Sequence, residues 1–234
     1  MLRMALLLWV CLSLTSIPAQ GQEWGFDAGA GLASSRMDDL KYMHAHILSQ
    51  YPIPGKMLSS FPPYGTFGLG VRKELYPSLS VRVGYQNTNS GSRSNYTDYS
   101  GRISTNMTTT SHRLGASVFY GLFETDWMSL SAFGQADLNY TLAKISSSIV
   151  VMGYSDASYY EYRSLSPAIA AGAEQLFHLE MMSLGVEVAY QVDIRGELTE
   201  KESGNYMTDP LDRDRVLSSD WTGWRAMVRM LFWL

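Results

Sequence analysis

The residues with the chemistry to act are few, and they are scattered along the chain. His112 follows Ser111, and His178 lies close to Glu180 and Ser183. A serine, a histidine and an acid near one rim could perform acyl transfer. Neighbouring residues in a strand, however, point to opposite faces, so Ser111 and His112 would be separated, and His178 has only Ser183 as a nearby serine. His44 and His46 could share a face and hold a metal if extended. Yet Met37, Leu40, Met43 and Ile47 recur at helical spacing, and residues two apart on a helix do not face each other. An amphipathic helix over the mouth of a larger structure is expected there instead. Asp209, Asp212, Asp214 and Asp220 lack the glycine and terminal glutamate of a calcium loop. Arg213 and Arg215 interrupt them, and a solvated loop is expected. No catalytic, cofactor or metal site is expected.

A second set of reactive side chains is ordered. Asp27, Arg72, Arg82, Arg113, Asp137, Glu174, Glu187, Asp193, Arg225 and Arg229 all fall on the small and polar face of segments that alternate with period two. The segments are 23–33, 64–74, 79–87, 112–122, 127–141, 163–176, 181–194 and 221–234. Their other faces are apolar: Leu79, Val81, Val83 and Tyr85 in the third, for example, or Trp224, Ala226, Val228, Met230 and Phe232 in the last. Such alternation marks strands. A charged side chain facing lipid at mid-membrane costs about 2–4 kcal/mol for Arg or Lys. No charge lies in the middle of an apolar face, which is what a barrel with a polar interior and a lipid-facing exterior requires. A soluble barrel or sandwich, with the apolar face inside, is the competing architecture.

Connections alternate long and short, the rhythm of outer-membrane barrels with short periplasmic turns and long outer loops. The segments 34–63, 88–111, 142–162 and 195–220 are read as the long connections. Trp24, Tyr120, Trp127 and Phe232 gather at the short-turn rim, and Tyr85, Tyr140, Tyr190 and Trp224 at the other, as two interfacial girdles. The third long connection holds Ile149, Val150, Val151 and Met152 and then Tyr154, Tyr159, Tyr160 and Tyr162. These could extend the hairpin beyond the membrane and offer an edge or patch to a partner, with a self-packed hairpin protrusion as the alternative.

Composition agrees. The 234 residues carry only 17% charged and 12% aromatic residues, with 20 glycines and a formal charge of -4, which gives no reason to expect nucleic acid. Arg3 precedes an apolar run from Met4 to Leu14, too short to span a bilayer. Pro18-Ala19-Gln20-Gly21 then reads as a cleavage site. Residues 1–21 are read as a signal peptide and 22–234 as one barrel domain. The sole cysteine, Cys11, lies in the apolar run, so a disulfide framework and thiolate metal sites are excluded from 22–234.

On this pattern, hairpin rhythm and aromatic C-terminal strand, the chain resembles the small eight-stranded outer-membrane barrels of Gram-negative bacteria, the OmpA-barrel and OmpX-like group. It ends on Leu234, after Trp233, where that group ends on an aromatic residue. The resemblance implies an all-β, eight-stranded antiparallel up-and-down barrel in the cell outer membrane, monomeric, with outer-membrane lipid as its surroundings. It also implies a structural or surface-interaction role through the long outer loops, with a protein or surface ligand as partner. A small porin or narrow gated channel is the alternative, and a lipid-modifying enzyme a third reading. Ten charges in a lumen just wide enough for its side chains are expected to pair and plug it.

Overall fold

The computed structural model describes residues 24–49, 56–99, 101–151, 154–180 and 182–234. The signal-peptide reading of 1–21, with Cys11, lies outside the described residues. Strand β1 (Trp24–Ala33) is followed by helix α1 (Asp38–Ser49) and the short β2 (Lys56–Ser60). Six long strands then follow as a meander: β3 (Tyr64–Tyr76), β4 (Leu79–Asp98), β5 (Gly101–Glu124), β6 (Met128–Val151), β7 (Tyr154–His178) and β8 (Met182–Asp193). Three two-residue strands, β9 (Gly196–Glu197), β10 (Thr199–Glu200) and β11 (Ser218–Ser219), precede the last strand, β12 (Gly223–Trp233).

Each long strand pairs antiparallel with the next, and β12 pairs with both β8 and β1, which closes the ring. The chain is an eight-stranded antiparallel up-and-down β-barrel. Closure leaves no open edge at membrane depth, where an unpaired backbone group would cost several kcal/mol. Exposure alternates along the membrane-spanning part of the barrel strands. The outward rows carry exposed Leu69, Val83, Leu114, Val118, Leu138, Ile169, Val186, Val188 and Val228. Such a continuous apolar belt is a surface for lipid rather than water.

The girdle residues stand at the two ends of this belt. Trp24, Tyr120, Trp127 and Phe232 are exposed at the short-turn end; Tyr140 and Trp224 are exposed and Tyr85 and Tyr190 partly covered at the other. Trp127 stacks on Phe177, and Tyr190 meets Trp224 edge-on at 4.9 Å.

Two long connections are not loops. The stretches 88–111 and 142–162 continue the ladders of β4, β5, β6 and β7, residue for residue, up to the Asp98–Gly101 and Val151–Tyr154 pairs. The four strands project as one sheet past the Tyr85 and Tyr140 girdle. At about 3.4 Å per residue the protrusion is roughly 30 Å long. One of its edges is covered by β2, which pairs with Ser92–Asn95 of β4.

Helix α1 takes the position its periodicity indicates. Met37 and Leu40 are fully buried, with Met43 and Ile47 packed beside them, against Met107 and Ile145 from the sheet and Trp221 from the last connection. The charged segment 195–220 departs from the expected solvated loop. Leu198, Met207 and Leu217 are buried in the same cluster, and Asp209 and Asp220 are buried as well. Its apolar residues are spaced at irregular intervals, so no period announced their burial. The reason the acids can be buried is pairing. Asp39 of α1 accepts hydrogen bonds from the Ser218 amide and hydroxyl at 3.0 and 2.7 Å and from Arg215 at 2.6 Å. Arg215 also reaches Asp209 at 3.4 Å, and Arg195 reaches Asp220 at 3.4 Å.

Candidate functional site

All ten charges of the inward faces are buried in the barrel lumen. They converge because alternate residues of eight tilted strands point to one narrow axis. Glu187 is the hub. Its Oε2 accepts from Arg82 Nη1 at 2.9 Å and Arg229 Nε at 2.7 Å, and its Oε1 lies 3.2 Å from Arg225 Nη2. Arg229 also grips Asp27 at 2.5 Å, across the β1–β12 closure. Glu174 pairs with Arg72 at 2.5 Å and sits 4.0 Å from Arg82.

The remaining three charges are joined through neutral amides that the sequence placed on the inward face without a role. Arg113 donates to Asn139 at 2.8 Å and Gln86 at 3.1 Å, and Asn139 donates to Asp193 at 3.0 Å. Asp137 accepts from Gln135 at 2.6 Å, and Gln135 in turn accepts from Arg225. Amides carry both a donor and an acceptor, so they link like-charged neighbours that cannot pair directly. Gln86 accepts from both Arg113 and Arg225.

Below this network the lumen is closed by aromatic rings. Phe119 and Phe133 are buried with centroids 5.0 Å apart, and the Arg72 and Arg82 guanidiniums lie 4.1 and 4.8 Å from the Phe119 ring centre. Met227 and Leu231 are buried on the same inward face. Glycine supplies the remaining room: a Cβ at Gly115 would overlap the Asp137 carboxylate. Gly115→Val is therefore expected to destabilise the barrel by about 1–3 kcal/mol through overpacking, read as a lower midpoint in the heat-modifiable gel shift. An unchanged midpoint would show that the lumen has slack there.

Above the network, α1 closes the outer mouth. His44 is fully buried, its ring bonded on one side to the Ser92 hydroxyl and on the other to Ser94 at 3.1 Å. His46 points elsewhere and stacks on Tyr42. The two histidines do not share a site, and among the described residues no group of three His, Cys, Asp or Glu side chains could hold a metal ion. Burial lowers the His44 pKa from its ordinary 6.5. The sign follows: the unfolded chain binds the proton more readily than the folded one. The packing of α1 is at full strength above pH about 6.5 and weakens as pH falls below it. Amide hydrogen exchange of α1 is expected to be faster at pH 5 than at pH 7.5, after correction for intrinsic rates, and the difference should vanish in His44→Gln. The Asp209 pKa is lowered as well: the Leu211 amide, Tyr42 hydroxyl and Arg215 hold it below the usual carboxylate value, so its contribution is also lost as pH falls, but in the carboxylate range.

The other histidines occupy rims. His112 faces outward and meets the Tyr85 hydroxyl at 2.7 Å, while Ser111 faces inward and is buried. His178 lies at the short-turn end between Ser183 at 3.0 Å and Ser129 at 3.1 Å. Ser129 was not singled out from the sequence, because it enters from the neighbouring strand. Both ring nitrogens of His178 are thus taken by serines, and the Glu180 carboxylate bonds to neither.

The fold has relatives among solved structures. A major outer membrane protein from Thermus thermophilus superposes with a TM-score of 0.53 at 13% identity, over 92% of this chain and 100% of that one. Neisserial surface protein A (NspA) gives 0.39 at 14% identity, over 92% of this chain and 97% of that one. Ail, the attachment invasion locus protein of Yersinia pestis, gives 0.38 at 12% identity, over 92% and 99%. The Thermus overlay shows the fold, and at that identity only the fold. No protein-family model matches the chain, and no curated protein matches its sequence.

Proposed function

We propose that this chain is a non-catalytic outer-membrane barrel whose working part is the sheet it holds outside the membrane. The observation that carries the reading is the contrast between its two halves. The membrane half is a plug, with paired charges around Glu187, the Phe119–Phe133 layer beneath them and α1 above. The outer half is an extended sheet with exposed aromatic residues, Tyr154, Tyr159 and Tyr160 among them. Such a patch on a protruding element is a contact surface in search of a partner. Ail is described as an attachment invasion locus protein, in keeping with a role at the cell surface.

The channel reading asks the same lumen to conduct. In planar bilayers the folded full-length protein is expected to give no stable conductance steps at neutral pH. A reproducible open level, abolished by Arg82→Gln or Glu187→Gln, would overturn the plug and favour the channel.

A further inference from the structure

The protruding sheet has one edge covered and one open. Its β4 edge is covered by β2, but at its other edge, among the described residues, β7 forms ladders only with β10, through Arg163 and Tyr162, and with β8, from Ala168 inward. Lys201 donates its amide to the Glu161 carbonyl, and Ile194 to that of Pro167, so the odd-numbered residues of β7 turn their backbone groups to this edge. By the alternation of a strand, Ser155, Ala157 and Tyr159 do the same, and among the described residues nothing pairs with them there. No proline, lysine or bulge blunts these positions. Natural proteins protect such edges unless they are used.

From the sequence of this edge we infer that its partner is a second copy of itself. Residues 154–160 read Tyr-Ser-Asp-Ala-Ser-Tyr-Tyr. Hydrogen-bonded pairing requires odd residues to face odd residues. Centring the pair on Ala157 sets Ser155 against Tyr159 of the second copy. On the opposite face it sets Tyr154 against Tyr160 and Asp156 against Ser158, each twice. These are an aromatic cross-strand pair and a carboxylate–hydroxyl pair, both favourable. Moving the register one step outward opposes Asp156 to Asp156, which like charge disfavours. Moving it one step inward carries Tyr162, already paired with Glu200, into the contact. The Ala157 register thus gives about six backbone hydrogen bonds and matched side chains on both faces.

The membrane fixes where the second copy lies. In every copy β7 runs from its outer tip at Tyr154 towards the short-turn rim at His178. Two copies in one membrane, related by a two-fold along its normal, would have β7 parallel. A parallel ladder uses different groups on its two strands, so that symmetry cannot make it. The antiparallel pair places the barrels in opposing membranes. It is a contact between two cells, each strand pair weak and many acting together.

This rests on the display reading, and its test uses full-length protein, with Cys11→Ser, folded into two populations of lipid vesicles. One population carries Asp156→Cys and the other Ser158→Cys. A non-hydrogen-bonded antiparallel pair has Cα atoms about 4.5 Å apart, within disulfide range. Under mild oxidation a covalent dimer is expected only when the populations are mixed. Vesicles of the otherwise unmodified chain should cluster by light scattering, and Ala157→Pro should reduce clustering to the level of empty vesicles. The Ala157 amide faces the open edge, so this proline leaves the β6–β7 ladder intact. Absence of both clustering and cross-link, or cross-linking of Asp156→Cys to itself, would overturn self-pairing. If cells nevertheless lose adhesion when the hairpin is shortened, the display reading stands and the partner is another protein.

Discussion

Glu187→Leu is expected to destabilise the folded barrel by about 3–5 kcal/mol, the range for breaking a buried ion pair by removing one partner. The side chain is fully buried and stands within ion-pair distance of Arg82, Arg225 and Arg229. Without it three guanidiniums share a closed space with Asp27, Glu174 and the more distant Asp137. The cost arises from arginines left buried without a counter-charge, more than from the attraction that Glu187 supplied, and that gives the test its form. In a urea titration followed by tryptophan fluorescence, Glu187→Leu with Arg82→Met should lose less than the sum of the two single changes. Additive losses, or a single-mutant loss below about 1 kcal/mol, would mean that water reaches the network.

Trp221→Ala should cost about 3–5 kcal/mol, the usual range for truncating a buried large aromatic residue. Trp221 is the largest fully buried side chain among the described residues. Its indole donates to Thr141 at 2.8 Å, its amide donates to Asp193 at 3.0 Å, and its ring meets Tyr64 edge-on at 5.6 Å. It therefore joins the plug helix, the sheet and the top of the lumen. Loss of this ring should also free α1, so trypsin should cut after Lys41 in intact vesicles at least about tenfold faster, the effect of roughly 1.4 kcal/mol of local opening. An unchanged cleavage rate would show that Asp39, His44 and the packing on Met107 and Ile145 hold α1 without it.

The barrel was legible because lipid and lumen impose opposite chemistry on alternate residues. Leu79, Val81 and Val83 against Ser80, Arg82 and Gly84 read as a strand with one apolar and one polar face. The protrusion was legible only in part: Ile149, Val150 and Val151 with the tyrosines after them suggest an extended hairpin at 142–162, whereas between Asn87 and Ser111 both faces become polar. Thr108, Thr109 and Thr110 have no apolar partner face to contrast with, so alternation falls silent although threonine favours strands. Helix α1 was visible in Met37, Leu40, Met43 and Ile47, yet its buried histidine was not, since the serines that receive it lie 48 and 50 residues away. Within the lumen the inward set could be read residue by residue. Strand closure makes β1 and β12 neighbours and so offers Asp27 both Arg225 and Arg229; the structure pairs it with Arg229. The central place of Glu187 was not legible, because the level at which each strand delivers its charge depends on the stagger of the barrel.

The most direct measurement compares the adhesion of intact cells carrying the full-length chain with cells carrying a chain shortened by residues 146–159. The residues left at the join, Ile145 and Tyr160, are register partners, so the shortened hairpin can close over an intact barrel and keeps Ile145 against α1, as heat-modifiable mobility would verify. Cells with the shortened chain should adhere to one another and to other cells no better than cells without the protein. Adhesion undiminished by the deletion, with the barrel folded, would contradict the account.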